Sequence, residues 1–400
     1  MPSLTSAIGR ATRLTRKGRL LEATSVIQKA LGSGTAPPKS PTKGRAKPVA
    51  AAKQLAKPTS RSKAAPAPKA LPERKRVTPP SPRTAPPSAR ATPRGFASGT
   101  SLPGAGSLAR VAPSARARLK RSIAKPSIPD GARYPWRSHT GPHGARRYRL
   151  YVPGNLPAGP RPLLVMLHGC TQGADDFARG TRILEAAERH GVLVALPEQD
   201  RAANAMACWN WFEPAHQGRG AGEPAILAGI VRNVLARESV DPARVFVAGL
   251  SAGGAMAAVL GATEPEMFAG VGVHSGLPYR AASDMTSAMR AMRSGAGRVP
   301  AVGPRGAAPR LFVVHGTADG TVSPRNADRL LEAMGRGERQ SERHGRVGVT
   351  RLVREGRTVA EDWRVAGLGH AWSGGEPGAS YTAPDGPDAT EGMLRFFLEG

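Results

Sequence analysis

Aromatic residues are scarce in this chain of 400: Trp, Tyr and Phe make up 4% of it, and Phe96 is the only one before Tyr134. A leading third so poor in large apolar side chains has little with which to build a core. It also lacks the interleaved aromatics on which bases stack, which argues against sequence-specific nucleic-acid recognition. Acidic residues are missing from the same stretch. Residues 1–129 hold 27 Lys and Arg against two Asp and Glu, which is +25 of the net charge of +29, while the remainder is near neutral with 31 basic against 27 acidic residues. Cysteine is limited to Cys170 and Cys208. Neither lies in a C-x-x-C or other metal-ligating spacing, which argues against a zinc site. No apolar run approaches membrane-spanning length, so no transmembrane segment is expected.

What is present divides at about residue 130. From Ser33 to about Ala124 the chain is Pro, Ala, Lys, Arg, Ser and Thr. Such a composition buries too little apolar surface to offset its ordering entropy, so 33–129 is expected to be a disordered basic linker or tail. It is either a solubilising tether or a polyanion-binding tail whose interspersed cations meet phosphates or an anionic surface without a fold. Ahead of it, over residues 1–32, Leu4, Ile8, Leu20, Leu21, Ala23, Val26, Ile27, Ala30 and Leu31 recur at roughly helical spacing among basic residues. That pattern predicts a short basic amphipathic helix. Arg10, Arg13, Arg16, Lys17 and Arg19 interrupt any apolar core there, so a secretory signal is not expected.

Residues 130–400 suit one α/β domain. Arg147-Tyr-Arg-Leu-Tyr-Val152 alternates like an outer antiparallel strand, whereas 162–168, 191–196, 245–248, 271–274 and 311–315 are short apolar runs. Continuous apolar strands imply burial on both faces. Helix-like stretches at 177–190, 223–238 and 323–334 alternate with them, as a doubly wound, mostly parallel sheet requires. Functional residues are then expected at the carboxyl ends of strands.

One such end carries Gly249-Leu250-Ser251-Ala252-Gly253, between the apolar run Arg244–Ala248 and a small-residue helix, Ala252–Leu260. G-x-S-x-G in that context holds a serine on a sharp strand-to-helix turn, with glycines where the turn packs tightly. A nucleophilic serine needs a base, and the base needs an orienting acid; in this architecture they follow in the order Ser, Asp or Glu, His. Asp319 lies in the turn after the run ending at His315, and His370 lies in the glycine-rich Gly367-Leu-Gly-His-Ala-Trp372 after the strand-like Asp362–Val365. Asp328 and Asp362 compete for the acid role, the first within a helix-like run and the second ahead of its strand. His139, His143, His168, His190, His216, His274 and His315 precede Asp319, and His344 falls in a polar linker. These are better read as structural or surface histidines. An oxyanion would be met by the backbone N–H of Ala252 and of Cys170, with Thr171 as the alternative. Trp209, Trp211 and Trp372 either line a substrate cleft or pack in the core. Gly218-Arg-Gly-Ala-Gly222 follows no strand, so it is a loop and not a phosphate cradle.

His168-Gly-Cys-Thr-Gln172, Cys208-Trp-Asn-Trp-Phe212, Gly249-Leu-Ser-Ala-Gly-Gly-Ala-Met256, His315-Gly-Thr-Ala-Asp319 and Gly369-His-Ala-Trp372 occur in this order. Together they resemble the poly(3-hydroxybutyrate) depolymerase type esterases, an α/β-hydrolase family that also includes feruloyl and acetylxylan esterases. The resemblance covers roughly residues 130–400. It implies cofactor-free hydrolysis of ester bonds in a polyhydroxyalkanoate, with a feruloyl- or acetylxylan-type small ester as the alternative substrate, and with Ser251 as nucleophile, Asp319 as orienter and His370 as general base. It also points to an extracellular location, against which stands the missing signal, which suits the cytoplasm. Cys170 and Cys208, on two loops near the site, form either a disulfide or two reduced thiols, depending on compartment. Two other readings are a polyanion- or granule-binding protein on a non-catalytic hydrolase scaffold, which predicts a gap in the triad, and a serine peptidase on the same fold, which predicts room for an additional domain.

Overall fold

The computed structural model describes residues 125–154, 159–301 and 308–399. The helix expected over 1–32, and the linker expected from residue 33 as far as residue 124, lie outside the described residues. In chain order the strands of the main sheet are β1 (Trp136–Gly141), β2 (Gly144–Tyr151), β3 (Arg161–Leu167), β4 (Leu193–Pro197), β5 (Val240–Leu250), β6 (Gly270–His274), β7 (Arg310–Gly316), β8 (Glu338–His344), β9 (Val347–Arg354) and β10 (Arg357–Val365). Across the sheet they run β1-β2-β4-β3-β5-β6-β7-β10-β9-β8. The six from β4 to β10 pair parallel, and antiparallel strands extend both flanks. This is a doubly wound, mostly parallel α/β sheet.

Its helices are α1 (Ala174–Thr181), α2 (Ile183–His190), α3 (Gly222–Leu235), α4 (Ala252–Thr263), α5 (Met285–Ser294), α6 (Arg325–Ala333) and α7 (Ala389–Leu398). The central strands β3, β4 and β6 are buried along their whole length, because helices cover both faces. Alternation assigns the faces. Leu163, Val165 and Leu167 of β3 join the core formed with α3 and α4, whereas Leu164 and Met166 join the one formed with α1, α2 and α7. A slip of one residue in β3 would exchange the two sets, so burial itself pins the register.

Three local expectations need correction. The single helix expected over 177–190 is two, divided at Arg182, whose φ is 55°. His344 ends strand β8 and does not lie in a linker, and Asp362 lies within β10 and not ahead of it. β8 reads Glu-Arg-Gln-Ser-Glu-Arg-His and every residue of it is exposed. It is a strand only through its ladder with β9, so it has no apolar period to betray it, and its charges blunt an open edge. Among the described residues no helix is long and apolar enough to cross a membrane.

Candidate active site

The turn from β5 into α4 carries Ser251 at φ 58°, ψ −118°, a conformation that side-chain-bearing residues rarely adopt. Packing enforces it. A Cβ at Gly253 would lie 2.0 Å from the carbonyl oxygen of Leu167, and one at Gly249 would lie 2.4 Å from the carbonyl carbon of Gly253. Only glycine fits at either position, which lets α4 press against β3 and β5. The amide of Ser251 donates to the His274 carbonyl at 2.9 Å, tying the turn to β6.

Asp319 follows β7 in a tight turn. Its Oδ1 accepts from the backbone N–H groups of Thr321 and Val322, both at 2.9 Å, and its Oδ2 lies 2.8 Å from His370 Nδ1. A carboxylate only accepts, so Nδ1 of His370 carries the proton and Nε2 keeps its lone pair. His315 Nε2 stands 3.4 Å from the same Oδ2 while donating to the Val322 carbonyl at 2.9 Å. Burial pushes the Asp319 carboxyl up, but the His315 and His370 rings facing its oxygens outweigh that and hold Asp319 well below the ordinary carboxylate range. The competing acids are engaged elsewhere: Arg364 bonds both Asp362 and Asp328.

The loop after β3 returns to the serine. A Cβ at Gly169 would lie 3.7 Å from that of Ser251, so the loop Gly169-Cys170-Thr171-Gln172 borders Ser251. The N–H groups of Cys170 and of Ala252 meet no acceptor among the described residues. Cys170 is bonded to Cys208, with Cα atoms 4.2 Å apart, and the Thr171 amide donates to Met206, so the loop is fastened twice to the 206–208 segment.

Two buried histidines act as neutral hydrogen-bond hubs. Burial pushes the His168 imidazole down; Nε2 accepts from the Gln199 amide and Nδ1 faces the Gly169 carbonyl at 2.8 Å. His274, lowered to about 3 by burial and by the neighbouring His315 and His370, accepts at Nε2 from the Ser373 amide. Each joins strand ends to a loop of the site.

The three tryptophans pack in the core. Trp209, Trp211 and Trp372 are 0%, 5% and 2% exposed. Trp209 Nε1 donates to the His168 carbonyl, Trp211 packs edge-on to Phe212, and Trp372 stacks on His274 while donating to Thr390. The core-packing alternative describes them, because their rings are consumed beneath the site loops. Among the described residues the aromatic ring paired with His370 is Tyr381, edge-on with ring centroids 6.5 Å apart. Sequence reasoning missed it, since nothing near position 381 forms a motif. No group of three or more His, Cys, Asp or Glu side chains suited to a metal ion occurs among the described residues.

A serine elbow at the carboxyl end of a central parallel strand, with an Asp–His pair from later strand ends, defines an α/β-hydrolase. The family model for esterase PHB depolymerase matches residues 146–352, and the chain belongs to that family. It is 39% identical over 204 residues to poly(3-hydroxyalkanoate) depolymerase C of Paucimonas lemoignei, a match covering 48% of each protein. It is 31% identical over 209 residues to feruloyl esterase B of Neurospora crassa, covering 48% of this chain and 70% of that one. The chain thus spans about half the length of the depolymerase it matches. Among solved structures, an acetyl xylan esterase from Aspergillus awamori covers 66% of this chain and all of its own at a TM-score of 0.54 and 21% identity, a likeness of fold.

Proposed function

We propose that the chain is a serine carboxylic ester hydrolase acting on polyhydroxyalkanoate esters, with Ser251 as nucleophile, His370 as general base and Asp319 as its orienter. The observation that carries this reading is the 2.8 Å bond from His370 Nδ1, on the loop that follows β10, to the buried Asp319 carboxylate, in a chain whose Ser251 sits on a strained strand-to-helix turn. In the first half-reaction His370 Nε2 takes the Ser251 proton as Oγ attacks the acyl carbon, and the N–H groups of Cys170 and Ala252 meet the oxyanion. Collapse expels the alcohol, which leaves with the proton from His370. Water then attacks the acyl-enzyme, giving its proton to His370, and the acid departs as Ser251 is restored. The likeness to a poly(3-hydroxyalkanoate) depolymerase supports the substrate class.

The test compares kcat/KM on amorphous poly(3-hydroxybutyrate), its soluble oligomers, p-nitrophenyl esters of graded length and methyl ferulate. Preference for the hydroxybutyrate substrates upholds the reading; preference for the ferulate, favoured by the feruloyl esterase likeness, transfers it to plant-wall esters. Failure of Ser251→Ala to abolish turnover would remove the nucleophile assignment altogether.

The domain division belongs to the same proposal: a catalytic unit over 130–400, and a leading stretch that tethers it to an anionic surface or polymer granule through +25 of charge. Deleting residues 1–129 is expected to leave kcat on a soluble ester unchanged while binding to anionic vesicles weakens. In the intact chain that binding falls as salt rises, because exposed charges are screened over about 10 Å at 0.1 M. Equal vesicle binding by the truncated chain would dismiss the tether.

A further inference from the structure

Tyr381 has a backbone φ of 53°, and Thr171, which it touches, has a φ of 68°. A β-branched or bulky residue at positive φ is a genuine outlier, and such strain persists only where the surroundings over-determine it. Here they do. The Tyr381 carbonyl accepts from Trp372 N–H at 2.7 Å, within the short parallel pair of β11 (Trp372–Ser373) and β12 (Thr382–Ala383). Its neighbour Ser380 accepts from Gln172 Nε2 through its carbonyl at 3.2 Å and its hydroxyl at 2.9 Å, and donates to Asp176. Gln172 Oε1 in turn accepts from Gly169 N–H at 2.9 Å. The Ser380–Tyr381 segment is therefore clamped onto the loop that carries Cys170, from more than 200 residues away.

The hydroxyl bookkeeping gives the contact a direction. Thr171 Oγ1 lies 2.5 Å from the Cys170 carbonyl, which only accepts, so the threonine proton is committed there. Tyr381 Oη, 3.2 Å from Thr171 Oγ1, is then the donor. The chain Tyr381 → Thr171 → Cys170 carbonyl fixes the peptide plane that follows Cys170, whose own N–H meets no acceptor among the described residues. On its other side the half-buried phenol ring stands edge-on to His370.

We propose that Tyr381 is a positioning and specificity-determining residue: its hydroxyl sets the Cys170 oxyanion donor through Thr171, and its ring forms the wall facing the leaving alcohol. The second part follows from the first half-reaction. The alcohol departs with the proton held by His370 Nε2, and on this proposal the Tyr381 ring next to His370 lies on the alcohol side. This inference rests on the assignment of Ser251, His370 and the Cys170 N–H made above.

The experiment uses the full chain, two variants, and butyrate esters of different alcohols: p-nitrophenol, methanol and the hydroxyl of 3-hydroxybutyrate. Labelling of Ser251 by a fluorophosphonate, read by peptide mass, runs in parallel. Tyr381→Phe keeps the ring and removes the donor; kcat is expected to fall about fivefold on every ester with KM nearly unchanged, the effect of one lost hydrogen bond. Tyr381→Gly suits the left-handed backbone and should fold. It is expected to repeat that fall and also to shrink the ratio of kcat/KM between alcohols by about tenfold, whereas a merely structural role would lower all esters alike. A Phe variant with wild-type kcat, or a Gly variant with wild-type discrimination, overturns the proposal. If wild-type protein hydrolyses the esters but is not labelled at Ser251, the catalytic assignment fails, and this inference fails with it for a reason the Tyr381 variants would not reveal.

Discussion

Two buried aspartates, one just past the end of β7 and one within the neighbouring parallel strand β10, end in opposite states. Asp319, in the turn after β7, is held well below the ordinary range, whereas Asp362, within β10, is pushed up to about 6. Burial raises both. The difference lies in the donors. A turn just past a strand end has spare backbone N–H groups, and two of them reach Asp319 Oδ1 while His370 and His315 face Oδ2. A position inside a strand has its neighbours' N–H groups committed to the ladder. Asp362 consequently has Arg364 on one oxygen and no partner for Oδ1 among the described residues. The turn after β7 brings Asp319 within reach of two histidines and two backbone N–H groups, whereas β10 offers Asp362 a single arginine.

The largest expected effect tests whether the two carboxylates differ in role as they differ in state. Asp319→Asn should lower kcat by about 10⁴-fold, because an amide in that place no longer holds His370 in the tautomer that leaves Nε2 free. Asp362→Asn should leave kcat within about twofold. Steady-state turnover on p-nitrophenyl butyrate measures both. A large loss from Asp362→Asn alone would reverse the assignment of the acid.

A second contrast is mechanical. The loop beside the serine is stapled by Cys170–Cys208, 38 residues apart, whereas the β8–β10 flank has no covalent tie. Replacing both cysteines by serine should cost about 4 kcal/mol, the chain-entropy value for such a loop. Urea unfolding of the variant against the wild type measures it. Unchanged stability would mean that the loop is held by its hydrogen bonds alone.

Much of this was legible in the sequence, and the limits are physical. Apolar runs announced β3 to β7, because a strand buried on both faces must be apolar throughout. The G-x-S-x-G turn announced Ser251's backbone, because glycine alone fits where β3 carbonyls come within 2.0 Å of an added Cβ. The order of Ser251, Asp319 and His370 singled out residues of which the last two meet at 2.8 Å. Strand β8 stayed hidden because all its side chains face solvent. The tryptophans were ambiguous because a large apolar ring suits a cleft and a core equally, and here the core took all three. Tyr381 left no trace, since its partner Thr171 lies 210 residues away and its strained backbone has no glycine to mark it.

The smallest expected effect concerns stability against pH, where the two aspartates should pull in opposite directions. Asp362 has a folded value of about 6 against 3.8 in the absence of its surroundings. Between those pH values the folded chain keeps a proton that the unfolded chain has released, so stability falls as pH rises through that window, by about 3 kcal/mol for a shift of this size. Asp362→Asn removes the titration. The variant should therefore gain on the wild type by about that amount between pH 4 and pH 7, read from urea midpoints at several pH values, with the other groups cancelling in the difference. For Asp319 the sign reverses. Its folded value is depressed, so its contribution is fully present above about pH 4 and is lost as pH falls further. Asp319→Asn should be less stable than wild type at pH 7, and the gap should close below pH 4. If both variants drift in the same direction, burial and not the local donor set controls these carboxylates, and the contrast between turn and strand is wrong.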